Sequence, residues 1–156
     1  MPPAARATPG GADDDLAAPF RPRLARAVTL GIAVLVLVLT ALLATTMPDL
    51  TLVDRTAFAL FGLAIAWFCW RQASVRAVPD DTGLTVRNLL LTRHVTWAEI
   101  VSVRFGQGRA WVQLDLSDGD TLAVMGVQRA DGTLAEGEAR RLATLVAHRT
   151  PTPRDD

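Results

Sequence analysis

The hydrophobic pattern divides the chain into two parts. Residues 27–47 read AVTLGIAVLVLVLTALLATTM and contain no charged side chain. At about 1.5 Å per residue such a helix covers about 32 Å, the thickness of a bilayer's hydrocarbon core. A helix lying on a soluble core shows a polar face at every third or fourth position. Here the only polar residues are Thr29, Thr40, Thr45 and Thr46, whose hydroxyls can bond carbonyls of their own helix. A second uncharged run, TAFALFGLAIAWFCW at 56–70, reaches spanning length when extended to 73. Arg71 can then snorkel to the headgroups, and Trp67 and Trp70 suit an interfacial aromatic belt. Neither run carries a polar stripe, which argues against a buried helix of a soluble core. The two runs predict a transmembrane hairpin over 25–73, with spans at 27–47 and 56–73.

The link between the spans, PDLTLVDR at 48–55, is short enough to join only antiparallel neighbours. Both ends of the chain therefore lie on one side of the membrane. Arg21, Arg23 and Arg26 precede the first span and Arg71 and Arg76 follow the second, while the link holds Arg55 against Asp49 and Asp54. By the positive-inside rule both termini are cytoplasmic, and the chain is an integral plasma-membrane protein. A cleaved signal peptide fits less well, because the apolar run is long and the leader before it is acidic at Asp13, Asp14 and Asp15. Residues 1–24, rich in Pro, Gly, Ala and Asp, read as a disordered tail, as do residues 150–156.

Beyond residue 74 the period drops to two. Apolar and polar residues alternate over 74–78, 84–87, 93–97, 100–105, 110–116 and 121–127. Turn signals lie between them at Asp80-Asp81-Thr82-Gly83, Gly106-Gln107-Gly108 and Ser117-Asp118-Gly119-Asp120. Val95 and Trp97 share one face, as do Val101, Val103 and Phe105, and again Val112, Leu114 and Leu116; Trp111 falls on the opposite face from the last three. The period then becomes 3.6. Thr133-Leu134-Ala135-Glu136 matches a capping box, and Ala135, Ala139, Leu142, Leu145 and Val146 form one apolar stripe. A helix over 134–148 packs on the sheet, with Glu136 and Glu138 near its start and Arg149 at its end.

Charge narrows the functional classes. Formal net charge is zero, every basic residue is Arg, and from Arg71 onward eleven Arg face eleven acidic residues. A nucleic-acid binder carries excess positive charge, so that class is set aside. Cys69 is the only cysteine; inside an apolar run it acts as a small hydrophobe. His94 and His148, the two histidines, show no catalytic partner or metal-ligand spacing. Asp118-Gly119-Asp120 reads as a turn. Gly106-Gln107-Gly108 precedes a strand, whereas a phosphate loop needs a helix N-terminus. No catalytic residue, metal or cofactor is expected.

The order of elements, α+β with about seven short strands and one C-terminal helix, resembles the bacterial pleckstrin-homology-like (PH-like) domains. The phrase GLTVRNLLLTRHVTWAEIVSVRF at 83–105 narrows the resemblance. Asp80, Gly83, Leu84, Val86, Arg87 and Asn88 match a D-x-x-G-L-x-V-R-N segment. Trp97, Ile100, Val103, Arg104 and Phe105 match a W-x-x-I-x-x-V-R-F stretch. Both are features of actinobacterial membrane PH domain-containing proteins of the low molecular weight protein antigen 6 type. The resemblance covers residues 25–149. It implies a split β-barrel capped by a helix over 74–149, and implies no settled activity.

Two readings of function follow. In the first, the domain is a non-catalytic, membrane-anchored binding or scaffolding module on the cytoplasmic face. It meets a protein partner or a second copy of itself through a sheet edge or through Trp111. In the second, it responds to lipid headgroups through Arg87, Arg93, Arg104 and Arg109; contact through Arg71 and Arg76 is the more generic juxtamembrane form of this. Membrane lipids are partners of the two helices in either case.

Overall fold

The computed structural model describes residues 16–106 and 108–150. The tail readings for 1–15 and 151–156, and Gln107 of the Gly-Gln-Gly turn, fall outside the described residues.

Helix α1 (Arg23–Thr46) and helix α2 (Leu52–Ala73) form an antiparallel hairpin. Their 24 and 22 residues give lengths of about 36 and about 33 Å. Both are long and apolar enough to cross a membrane. Large apolar side chains on both helices remain exposed, among them Val34, Leu35, Leu60, Phe61 and Trp67, so the other described residues do not bury them. The helices approach closely at Gly62, where an added Cβ would lie 2.6 Å from the Thr40 hydroxyl.

The second helix starts four residues before the expected Thr56. Thr51 caps it: its hydroxyl accepts from the Asp54 N–H at 3.2 Å, and the Asp54 carboxylate accepts from the Thr51 N–H at 3.0 Å. Arg55 therefore lies inside the helix, not in the link. Its guanidinium donates to the carbonyls of Ala44 and Met47, acceptors that the end of α1 leaves open, and to the carbonyl of Leu50 in the link.

Six strands follow, in two three-stranded antiparallel sheets. The first holds β1 (Arg76–Pro79), β2 (Gly83–Arg87) and β3 (Thr92–Thr96). The second holds β4 (Ile100–Arg104), β5 (Trp111–Leu116) and β6 (Thr121–Gln128). Helix α3 (Thr133–Arg149) covers them, and all five stripe residues named above are buried. They meet Leu84, Val86, Trp97, Leu114 and Val124 in a single core.

The expected barrel of about seven strands is corrected: the described residues form six strands and no closed barrel. Two local causes are visible. Residues Trp97–Glu99 form a 3-10 turn between the sheets, capped reciprocally by Thr96 and Glu99. On β1, the Ala77 N–H and C=O are taken by Phe20, through bonds of 3.0 and 2.8 Å, and so are not available to another strand. Of the expected shared face, Val103 and Phe105 pack against the core, but Val101 does not: the register shifts between Ile100 and Ser102, leaving Ile100 buried and Val101 67% exposed. At α3 the expected Thr133 capping box is absent. Gly132, at φ 60°, takes the cap position, and Thr133 is the first helical residue.

The disordered-tail reading is wrong for residues 16–24. Phe20 is wholly buried, and Arg141 holds the segment by donating to the carbonyls of Ala18 (2.9 Å) and Leu16 (3.3 Å). Helix α1 then begins against the domain. The Asp131 carboxylate, beyond β6, accepts from the Arg23 and Leu24 N–H groups at 2.9 and 2.7 Å. A helix start has open N–H donors and favours an anion, and here a residue more than a hundred positions away supplies it. Asp131→Ala is expected to cost about 1 kcal/mol and to raise amide exchange at Arg23 and Leu24. Unchanged protection at those amides would show that the cap contributes nothing.

Candidate functional site

The site lies where α2 hands over to β1. Arg71 is in the last turn of α2, Val75 is buried beneath the connection, and Arg76 opens β1. Arg76 pairs in register with Arg87, the last residue of β2. Two like charges opposite one another on antiparallel strands repel, and both residues are half-buried. Arg21 and Arg26 approach from the chain around the start of α1. Together with Trp70 and Ser74, they and Arg76 and Arg87 line a cleft of about 230 Å³. An adjoining groove of about 500 Å³ is lined by Arg71, Arg76, Arg87, Val78, Thr85 and Thr92. Among the described residues no Asp or Glu lines either one. Among the described residues, none of these five guanidiniums makes an ion pair or a hydrogen bond.

The other arginines singled out in the sequence are engaged elsewhere. Arg93 pairs with Asp118 at 3.2 Å and Asp120 at 3.3 Å, tying β3 to the β5–β6 turn. Arg104 pairs with Asp115 on the neighbouring strand, and the same carboxylate accepts from the Ser102 hydroxyl at 2.5 Å. Arg109 donates to the Gln113 side-chain oxygen. Of Arg87, Arg93, Arg104 and Arg109, only Arg87 belongs to the junction. Trp111 begins β5 at a register shift and is half-buried. The large exposed apolar side chains of the domain are instead Leu90, Leu91, Val101 and Leu134.

Residues 74–144 match the family described as bacterial PH domain. This segment is similar to the bacterial PH domains. Relatives of the chain include uncharacterised proteins of Mycobacterium tuberculosis and Mycobacterium bovis. Each is 34% identical over 98 residues, 63% of this chain and 64% of the relative. The match thus spans just under two thirds of those relatives' length. No solved structure matches the chain.

Within the PH domain, His94 has neighbours that the sequence did not indicate. Its Nδ1 lies 3.0 Å from the Thr85 hydroxyl and 3.8 Å from the Asp80 carboxylate, and its Nε2 lies 3.4 Å from the Thr82 hydroxyl. This resembles a Thr-His-Asp nucleophile set, but the Thr82 hydroxyl donates to Asp80 at 2.6 Å. The Asp80 carboxylate also receives the N–H groups of Thr82 and Gly83 at 2.8 and 2.9 Å. The group builds the β1–β2 turn. Among the described residues no three His, Cys, Asp or Glu side chains converge as a metal site.

The same bonds set the acid response of the PH domain. The Thr82 hydroxyl, then its N–H, holds the Asp80 carboxyl below the usual carboxylate range. The Thr96 N–H, then its hydroxyl, does so for Glu99. Because the folded pKa values are depressed, the unfolded chain takes up protons first. The stabilisation is complete above the ordinary carboxylate values near about pH 4 and disappears as pH falls through the lower folded values. Amide protection of Thr82, Gly83 and Thr96 is expected to hold at neutral pH and fall in that acid range. Protection independent of acid would contradict these assignments.

Proposed function

We propose that this chain is a membrane-anchored, non-catalytic binding module. In this reading the α1–α2 hairpin crosses the bilayer and the PH domain stands fixed on its cytoplasmic face. The observation that carries it is the Asp131 cap, which joins the PH domain directly to the first turn of the membrane helix. A domain held this way presents its surface at a constant height and angle to the bilayer. Exposed Leu, Phe and Trp along both helices are stable in lipid and costly in water, which supports spanning. The Arg distribution on either side of the helices supports cytoplasmic termini. The partner in this reading is a protein or a second copy of the chain, met at the β3 or β4 edge or beside Trp111.

Single-cysteine labelling tests the arrangement. In a Cys69→Ala background, Asp49→Cys marks the α1–α2 link and Leu134→Cys marks the PH domain. A membrane-impermeant maleimide added to intact cells should label position 49 and spare 134 until the cells are opened. Labelling of 134 alone would place the PH domain outside. Release of the protein from membranes by alkaline carbonate would refute the anchor itself.

The lipid-responsive reading is favoured by one specific observation, the unpaired arginines of the junction.

A further inference from the structure

We propose that Arg21, Arg26, Arg71, Arg76 and Arg87 bind the phosphate group of an anionic lipid from the leaflet next to the PH domain. This rests on the anchored arrangement proposed above and names the ligand that arrangement would take.

The charge distribution is the first argument. The chain is neutral overall, and Arg93, Arg104, Arg141 and Arg149 each pair with a carboxylate. Among the described residues the five junction arginines do not, and no acid lines the two clefts between them. Arg21 and Arg26 also border a third groove that holds Asp131 and Glu138. Those two carboxylates are already engaged, Asp131 by the start of α1 and Glu138 by Arg141 at 2.6 Å. Half-buried Arg76 and Arg87, set opposite each other, leave a repulsion that a shared anion relieves. Planar guanidiniums match phosphate oxygens in bidentate fashion.

Position selects a lipid over a soluble anion. Trp70 lines the cleft and Arg71 follows it at the end of α2, so the site sits at the helix end, where headgroups lie if the hairpin spans. Strand β2 runs back toward α2, because Arg87 pairs with Arg76. The β2–β3 tip therefore projects at the same end of the sheet. Leu90 and Leu91 on that tip are 81% and 75% exposed. The tip is held in place: the Asn88 side chain donates to the Ala123 carbonyl at 2.7 Å and accepts from the Met125 N–H at 3.2 Å, and the Asn88 N–H donates to the Leu91 carbonyl at 2.8 Å. A fixed apolar tip beside a cluster of cations suits an acyl region next to a phosphate. Inorganic phosphate would make no use of it.

The test uses full-length protein in a neutral detergent, titrated with short-chain phosphatidylglycerol, short-chain phosphatidylcholine and inorganic phosphate. Phosphatidylglycerol should bind about tenfold or more tighter than phosphatidylcholine, and weaken with salt. The double variant Arg76→Gln/Arg87→Gln should lose about tenfold or more of that affinity, and Arg93→Gln should keep it. Inorganic phosphate should fail to displace the lipid. Equal affinity for the two lipids, or an unaffected double variant, would overturn the proposal. Displacement by phosphate as effective as by lipid would assign the site to a soluble anion and overturn the lipid source. If the double variant does not fold, the wild-type lipid preference and its salt dependence decide. Because maleimide labelling reports the anchor separately, an anchored protein without lipid preference refutes this inference alone.

Discussion

Replacing Phe20 by alanine is expected to destabilise the folded domain by about 3–4 kcal/mol, the cost of removing a fully enclosed aromatic ring. The ring is wholly buried, and the Arg141 guanidinium stacks 3.8 Å from its centroid, a further attraction that the truncation removes. The loss is not confined to packing. Phe20 occupies the free edge of β1 through its two bonds to Ala77, and Arg141 grips the carbonyls just before it. A cavity at position 20 should loosen the whole segment and raise amide exchange at Ala77. Phe20→Leu keeps most of the volume and should cost far less. Thermal unfolding of both variants in detergent makes the comparison; an alanine variant as stable as wild type would mean that residues 16–22 do not dock.

Gly83→Ala is expected to be comparably damaging, by about 3 kcal/mol or more, for a different reason. A Cβ at this position would lie 2.0 Å from the Val95 carbonyl oxygen and 2.8 Å from the Thr96 Cα. Both obstacles are backbone, so no side chain can turn aside, and β3 must separate from β2. Gly83 pairs with Thr96, and the register continues through Thr85–His94 to Arg87–Thr92, so the disturbance reaches the β2–β3 tip. Gly137→Ala is the matched control. It lies inside α3 with open space around it and should be stabilising by about 0.5–1 kcal/mol. Similar behaviour of the two alanine variants in a denaturant titration would contradict the close approach at Gly83.

How far the sequence anticipates these features depends on how local their causes are. The α3 stripe and the alternation of β5 were legible because each residue's burial follows from its own period. The bulge at Ile100–Ser102 was not, since an inserted residue changes phase without changing composition. The Thr51-x-x-Asp54 and Thr96-x-x-Glu99 caps share their local pattern with Thr133-x-x-Glu136, which forms no capping box because Gly132 takes the cap position. Phe20 was hidden in a Pro-, Gly- and Ala-rich stretch, and its partner Ala77 lies far along the chain. The arginines are the sharpest case. Arg93, Arg104 and Arg109 look as available as Arg87 in a linear reading, and only the fold reveals their partners. The Arg76–Arg87 pairing was within reach, because the Asp80–Gly83 turn sets that register once it is taken as a tight hairpin.

The proposed function requires a PH domain fixed to the α1–α2 hairpin. Pulsed electron paramagnetic resonance on spin labels at Val101→Cys in β4 and Leu35→Cys in α1, in a Cys69→Ala background and in lipid nanodiscs, tests it most directly. Both positions are exposed and lie on opposite sides of the junction. Rigid docking through Asp131, Phe20 and Arg141 predicts one narrow distance distribution, broadened by Phe20→Ala. A broad distribution in the otherwise unaltered protein would mean a tethered domain, and would contradict both the fixed presentation and the shared arginine site built on it.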